Sequence, residues 1–288
     1  CNGRSRSLKF LTVHYTTTSM RHLFCLFFII LSFAVTAQPA NSQKIVTASV
    51  LVNDKIAPDP QQILSALRSD WKMKPDSINI SDKTLVFSVA GATVMLAHLD
   101  YPVEAAEVQA AASISWLWKN AGPEIAKHQS QVVISILGSS SKALDLYKVL
   151  TKVAAATLEK TNSSGVFLNS QYVVSSKPFF TAGARNMMQE QSLPVYCWIY
   201  FGMLQENNLN SGYTYGMAEF GKEDMEIFHS EHSVQEVHAA LYDATQSIIQ
   251  YNLQLKDGQE VATGEGFKIP VKRMKGQMLE GEVLRLQY

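Results

Sequence analysis

Cysteine is nearly missing from this chain: Cys1, Cys25 and Cys197 are the only three. That is too few for a disulfide framework or a cysteine-rich zinc site. Charge is sparse and balanced, with 25 Lys and Arg against 25 Asp and Glu. Without a basic excess, the chain lacks the electrostatic footprint of a nucleic-acid binder or of a protein drawn to anionic membrane. The familiar catalytic signatures are absent too: no G-x-S-x-G, no G-x-x-x-x-G-K-[ST], no G-x-G-x-x-G after a strand, and no H-E-x-x-H. The apolar run from Leu23 to Leu31 falls short of the ~20 residues a membrane-spanning helix needs.

That run has a different meaning. Arg21 precedes it, and Val35 and Ala37 stand at the −3 and −1 positions before Gln38. This is the layout of a cleaved secretory signal over residues 20–37. Residues 1–19 have no apolar periodicity and read as non-native upstream sequence, with Met20 as the start. Cys25 lacks the small residues that precede a lipid-attachment cysteine. Cleavage removes Arg4, Arg6, Lys9 and Arg21 and no acid, so the mature chain is mildly acidic and keeps only Cys197. The expectation is an exported protein, periplasmic or secreted, with no transmembrane segment after cleavage.

Past a polar tether, the pattern alternates between strand and helix periods. "IVTASVLV" (45–52) is β-branched and reads as a buried strand. Pro60 opens a helix with Ile63, Leu64, Leu67 and Trp71 at helical spacing. "KTLVFSVAGATVMLAHL" predicts two strands joined at Ala90-Gly91. An alanine-rich helix follows, with Val108, Ala112 and Trp116 on one stripe, and then the strand "SQVVISIL". "GSSS" (138–141) after that strand offers amides to an anion, but a serine cap for the next helix explains it better. That long helix carries Leu144, Tyr147, Leu150, Val153 and Leu158.

The second half predicts a short strand at 166–168, a helix around 178–188 and an apolar strand at 195–203. Strands at 213–220 and 225–228 come next, then a helix from Val234 to about Tyr251 and terminal strands at 267–271 and 282–286. Strand, helix, strand, strand, helix, strand thus occurs twice. The predicted fold is α+β: two ferredoxin-like βαββαβ-type halves, 45–160 and 165–288, packed as one unit.

Three residue sets are candidates for function. His229, His232 and His238, beside Glu226, are ligand types that zinc takes. Against a shared site, Ser233-Val234-Gln235-Glu236 fits a capping box, which would make His232 a helix entry and put His238 one turn inside. Alternation in "VYCWIYF" puts Tyr196, Trp198 and Tyr200 on one face of a central strand covered on both sides. With Tyr213 and Tyr215, Trp198 offers an aromatic lining for a small ligand or a partner peptide. His128 precedes a strand and is placed to project from a sheet edge into a cleft, while Cys197 reads as a buried inert thiol.

Leu193-Pro194 followed by Trp198, Thr214-x-Gly216-Met217 with Phe220-Gly221, Met225-Glu226-Ile227 and Leu255-x-Asp257-Gly258 carry a resemblance. They resemble the bacterial DUF4261 family, a domain of unknown function. "LDYPVEAAE" and a strand led by His128 extend it upstream, with Gln131 where the family tends to show a second histidine. That departure speaks against a histidine pair doing chemistry. The resemblance implies a fold and brings no activity, cofactor or catalytic residue.

The function expected is that of a non-enzymatic binding or interaction protein of the bacterial envelope or exterior. No catalytic residue and no cofactor is assigned; its partner is an unidentified protein or small molecule and not nucleic acid. Binding is assigned to Trp198, Tyr213, Tyr215, Glu226 and His128. The alternative is a metal-assisted hydrolase built on His229, His232 and His238.

Overall fold

The computed structural model describes residues 42–139, 143–189, 192–264 and 266–288. The chain divides into two units, Cys1–Ala40 and Asn41–Tyr288, and the second is described here. The upstream segment, the signal segment with Cys25, and Ser140 and Ser141 of the GSSS turn lie outside the described residues.

The N-terminal sheet is built around β1 (Gln43–Val52). Its β-branched residues are buried toward the C-terminal end, with Val50 and Leu51 fully covered. Helix α1 (Pro60–Ser69) starts where predicted: Pro60 sits at its head, and the Asp59 side chain accepts from the Gln61 N–H at 2.8 Å. Ile63, Leu64, Leu67 and Trp71 form the expected buried stripe. Strands β2 (Asp76–Ser81), β3 (Thr84–Val89) and β4 (Ala92–Leu99) follow. Ala90 and Gly91 both take positive φ, 51° and 77°, as a two-residue hairpin turn requires.

Helices α2 (Ala105–Ile114) and α3 (Ala121–Ile125) lead into β5 (Ser130–Ser139). After α4 (Ala143–Glu159) come β6 (Ser163–Leu168), β7 (Val173–Ser176) and α5 (Lys177–Gln189). These strands form one antiparallel sheet in the order β2-β3-β4-β5-β1-β6-β7. Helices α2 and α3 bury Val108, Ala111 and Ile125, and the segment between them Trp118, against Leu51, Phe167 and Val174. Residues from α1, α4 and α5 join a separate, larger core.

The chain is α+β as expected, but the ferredoxin-like halves require correction. A split βαβ half puts its first strand between the third and fourth; here β5 inserts between β4 and β1. β6, expected to open the second half, instead joins the first sheet by pairing on β1, and β7, a strand that the sequence pattern does not predict, pairs on β6 at its edge. Element order is legible in local patterns, whereas strand order depends on which edge each strand reaches.

The second sheet contains β8 (Tyr200–Glu206), β9 (Leu209–Tyr215), β10 (Met225–Ser230), β11 (Glu260–Ala262), β12 (Lys268–Lys275) and β13 (Glu282–Leu286). Its order is β11-β12-β13-β10-β9-β8. Only β10 and β13 pair in parallel; the other neighbours are antiparallel. Helix α6 (Val234–Gln250) starts in the predicted capping box: the Glu236 N–H donates to Ser233 Oγ, and the Ser233 N–H donates to Glu236 Oε2 at 2.8 Å. Its Val237, Leu241, Ala244 and Ile248 enter the same core as α4. Among the described residues no helix is long and apolar enough to cross a membrane.

The apolar segment 195–203 is the second correction. Val195–Cys197 is a 3-10 turn, with Cys197 N–H donating to the Pro194 carbonyl at 2.8 Å and Trp198 N–H to that of Val195 at 3.0 Å. The turn is wrapped by core on most sides, which produces a continuous apolar run without strand alternation. The strand starts only at Tyr200 and is the edge of its sheet, not a central member. Likewise β9 ends at Tyr215: Gly216 (φ 114°) and Gly221 (φ 67°) bracket a 3-10 turn, Met217–Phe220.

Candidate functional site

The predicted site residues separate into three environments. Glu226, on β10, has no exposure and is fully engaged inside the protein. Its carboxylate accepts from the backbone N–H of Gln277 (3.0 Å), Met278 (2.9 Å) and Leu279 (2.9 Å), and from the Arg285 guanidinium (2.9 Å). It therefore holds the β12–β13 loop on the sheet, with no surface left open. Across the same sheet, the Asp224 carboxylate accepts from Met217 N–H and Thr214 Oγ1, both at 3.1 Å, and burial raises its pKa. The turn glycines of this half, Gly216, Gly221 and Gly258, all take positive φ.

Residues 213–287 match the family described as Domain of unknown function (DUF4261). The DUF4261 segment runs from β9 to β13 and so includes the Glu226 clasp, both glycine turns and α6. No curated protein and no solved structure matches the chain.

Within the DUF4261 segment the three histidines do not share a site. His229 lies in a β-bulge with φ 55°, where the β9–β10 register shifts. Its ring stacks on Phe228 at 3.8 Å and its Nε2 lies 4.0 Å from Glu206. His232 stacks on Tyr288 at 4.1 Å and lies 3.8 Å from Glu236. His238, on α6, stacks on Tyr196 at 5.6 Å and meets Trp116 edge-on at 5.1 Å, and burial lowers its pKa. Among the described residues no group of three His, Cys, Asp or Glu is placed to hold a metal ion. The bulge and the helix cap point side chains apart that stand close in sequence.

His128 and Trp198 are also structural. The His128 Nε2 accepts from the Val103 N–H at 3.0 Å while Nδ1–H donates to the Ile125 carbonyl, so both ring nitrogens are used in clamping the end of α3. It does not enter a cleft. Trp198 has no exposure, and its indole N–H donates to Thr151 Oγ1 at 2.9 Å. Cys197 is buried as expected, and burial pushes its thiol pKa up to about 12.

The aromatic lining exists, but in other residues. A shallow cleft between the β7 and β8 edges is lined by Trp116, Tyr172, Val174, Tyr196, Tyr200 and Phe201. Trp116 was expected on the α2 stripe; the helix ends at Ile114, so the indole swings out and is 46% exposed. Its N–H donates to the Phe201 carbonyl at 3.1 Å, across from the first sheet to the edge of the second. The Tyr196 hydroxyl lies 3.3 Å from His238 Nε2, and burial raises the Tyr196 pKa to about 12. Tyr215 borders this region through Tyr172, with ring centroids 6.1 Å apart, while Tyr213 packs on Tyr200 at 5.9 Å. The only advance sign of Trp116 was the aromatic density of "SWLWKN", which has no fixed period.

The edge beside the cleft is open. Asn207 and Asn208, both with positive φ, make the two-residue turn between β8 and β9, and Glu206 pairs with Leu209 next to it. In such a hairpin the closing pair is hydrogen-bonded, so alternate residues Phe201, Met203 and Gln205 direct their N–H and C=O away from β9. Sheet edges are commonly blunted by Lys, Pro, bulges or shortness. β2 has a register break, β11 has 3 residues and β7 has 4. β8 has 7 residues, "YFGMLQE", with no Lys or Pro, and Leu204 is 44% exposed.

Proposed function

We propose that this is a non-enzymatic binding protein of the bacterial envelope or exterior that takes an extended polypeptide segment along β8. The observation that carries the reading is the unblunted β8 edge running into the Trp116 cleft. An incoming strand satisfies the outward N–H and C=O of Met203 and Gln205. Trp116, already bonded to Phe201, marks where it stops, and an apolar side chain of the segment rests against Trp116 and Tyr172. Backbone pairing supplies affinity with little demand on sequence; the aromatic wall supplies preference.

Trp116 provides the assay. The other three tryptophans, Trp71, Trp118 and Trp198, are at most 7% exposed, so an emission change on binding reports Trp116. A capped hexapeptide of alternating valine and threonine is expected to shift that emission saturably. Gln205 is exposed, so Gln205→Pro removes one outward donor without touching the core. It is expected to weaken the response about tenfold or more with Tm unchanged. No saturable response in the parent chain, or an equal one in Gln205→Pro, sinks the reading.

Export is the other part of the proposal, supported by the signal layout at 20–37. Expression of the chain from Met20 is expected to yield a periplasmic or secreted form whose N-terminus is Gln38. Full-length recovery in the cytoplasm contradicts it.

A further inference from the structure

We propose that Lys222 anchors a second binding site, for a singly charged carboxylate with a short apolar body. Lys222 is 8% exposed, and its Nζ donates to Asn252 Oδ1 at 2.7 Å. Among the described residues no carboxylate forms an ion pair with it. An ammonium has three donors, so two are left beside a neutral amide. A buried charge without a counter-charge is costly, and such groups are ordinarily paired. Burial also lowers the Lys222 pKa.

Lys222 borders two clefts, of about 280 and 430 Å³, a size that suits small ligands. Ile248, Leu253 and Leu255 line the smaller beside Glu223, Gln254 and Arg273, and Phe220 and Ile249 line the larger beside Asp145, Gln250 and Asn252, so the ammonium faces apolar patches within a mixed lining. Two turns fix the geometry: Gly221 (φ 67°) precedes the lysine, and Asn252 (φ 50°) follows α6.

The surrounding charges select a monoanion. Arg273 is consumed by ion pairs with Glu223 and, at 4.0 Å, Glu282. Asp145 stands at the rim of the larger cleft. Lys222 is thus the cation of this region that no ion pair among the described residues engages, and with Glu223 and Asp145 lining the same clefts a dianion would be repelled. A free aliphatic acid and the C-terminal carboxylate of a peptide share the required chemistry.

Calorimetric titration of the full chain with hexanoate, N-acetylleucine and hexanamide tests the site. At least one carboxylate is expected to bind and the neutral amide not to. Lys222→Met keeps the bulk and removes the charge; Asn252→Asp keeps the lysine and gives it an internal partner. Each is expected to weaken carboxylate binding about tenfold or more. Preference for N-acetylleucine identifies a peptide terminus, and preference for hexanoate a free acid; either supports the site. Binding of neither carboxylate, equal binding of hexanamide, or unchanged affinity in both variants overturns it.

Discussion

Glu226→Ala is expected to destabilise the protein by about 3–5 kcal/mol, the usual cost of removing one partner from a buried ion pair. Arg285, whose side chain is 12% exposed, is left with its guanidinium stacked near Phe228 and no carboxylate. The N–H groups of Gln277, Met278 and Leu279 lose their acceptor at the same time. Unmade bonds of buried donors are worth about 1–3 kcal/mol each, but these share one carboxylate and do not sum. The loop is already closely packed here: a Cβ added at Gly276 would run into the Leu279 carbonyl and lie 3.1 Å from Glu226 Oε1. Urea unfolding monitored by circular dichroism measures the loss. Glu226→Gln keeps the shape and one acceptor oxygen, so its loss should be smaller. An alanine variant as stable as the parent would refute the structural role and return Glu226 to the list of ligand contacts.

Trp198→Ala ranks beside it, with an expected cost of about 3–5 kcal/mol for truncating a buried aromatic. Trp198 is fully buried between Tyr147 and Phe220, with ring centroids 5.7 and 5.8 Å away. Its partner Thr151 belongs to α4, so the indole joins the helix under the first sheet to the chain entering the second. Thr151 Oγ1 donates to the Tyr147 carbonyl at 2.8 Å, and that bond survives the loss of the indole. Trp198→Phe therefore leaves no unpaired donor and should cost less. Thermal unfolding of the two variants reads the difference. Full stability of Trp198→Ala, with loss of peptide response, would mean that Trp198 touches ligand after all.

Contact range separates the features that were legible from those that were not. Ser233 and Glu236 cap α6 within a span of four residues, Asp59 and Pro60 start α1, and Ala90-Gly91 turns a hairpin. Each depends on contacts between near neighbours in the chain, which sequence spacing encodes directly. Glu226 meets its partners more than 50 residues downstream, and Trp116 meets Phe201 across 85. No local period reports such pairings. Val195–Ile199 misled for a related reason: uniform apolarity records burial, and a buried 3-10 turn is as apolar as a buried strand.

By itself the sequence determined the α+β class, most of the helices and strands but not β2, α3, β7 or β11, the α6 cap, the buried Cys197 and the likeness of the C-terminal half to DUF4261. Only the tertiary structure decided that β6 and β7 complete the first sheet, and that β8 is an open edge. It also dispersed the histidines, closed Glu226 within the β12–β13 loop and set Lys222 against Asn252 with no ion pair among the described residues. The physical reason is range. Hydrogen bonds within a turn and the periodicity of burial are set by residues a few positions apart, while edges, clefts and unbalanced charges exist only after distant segments have packed together.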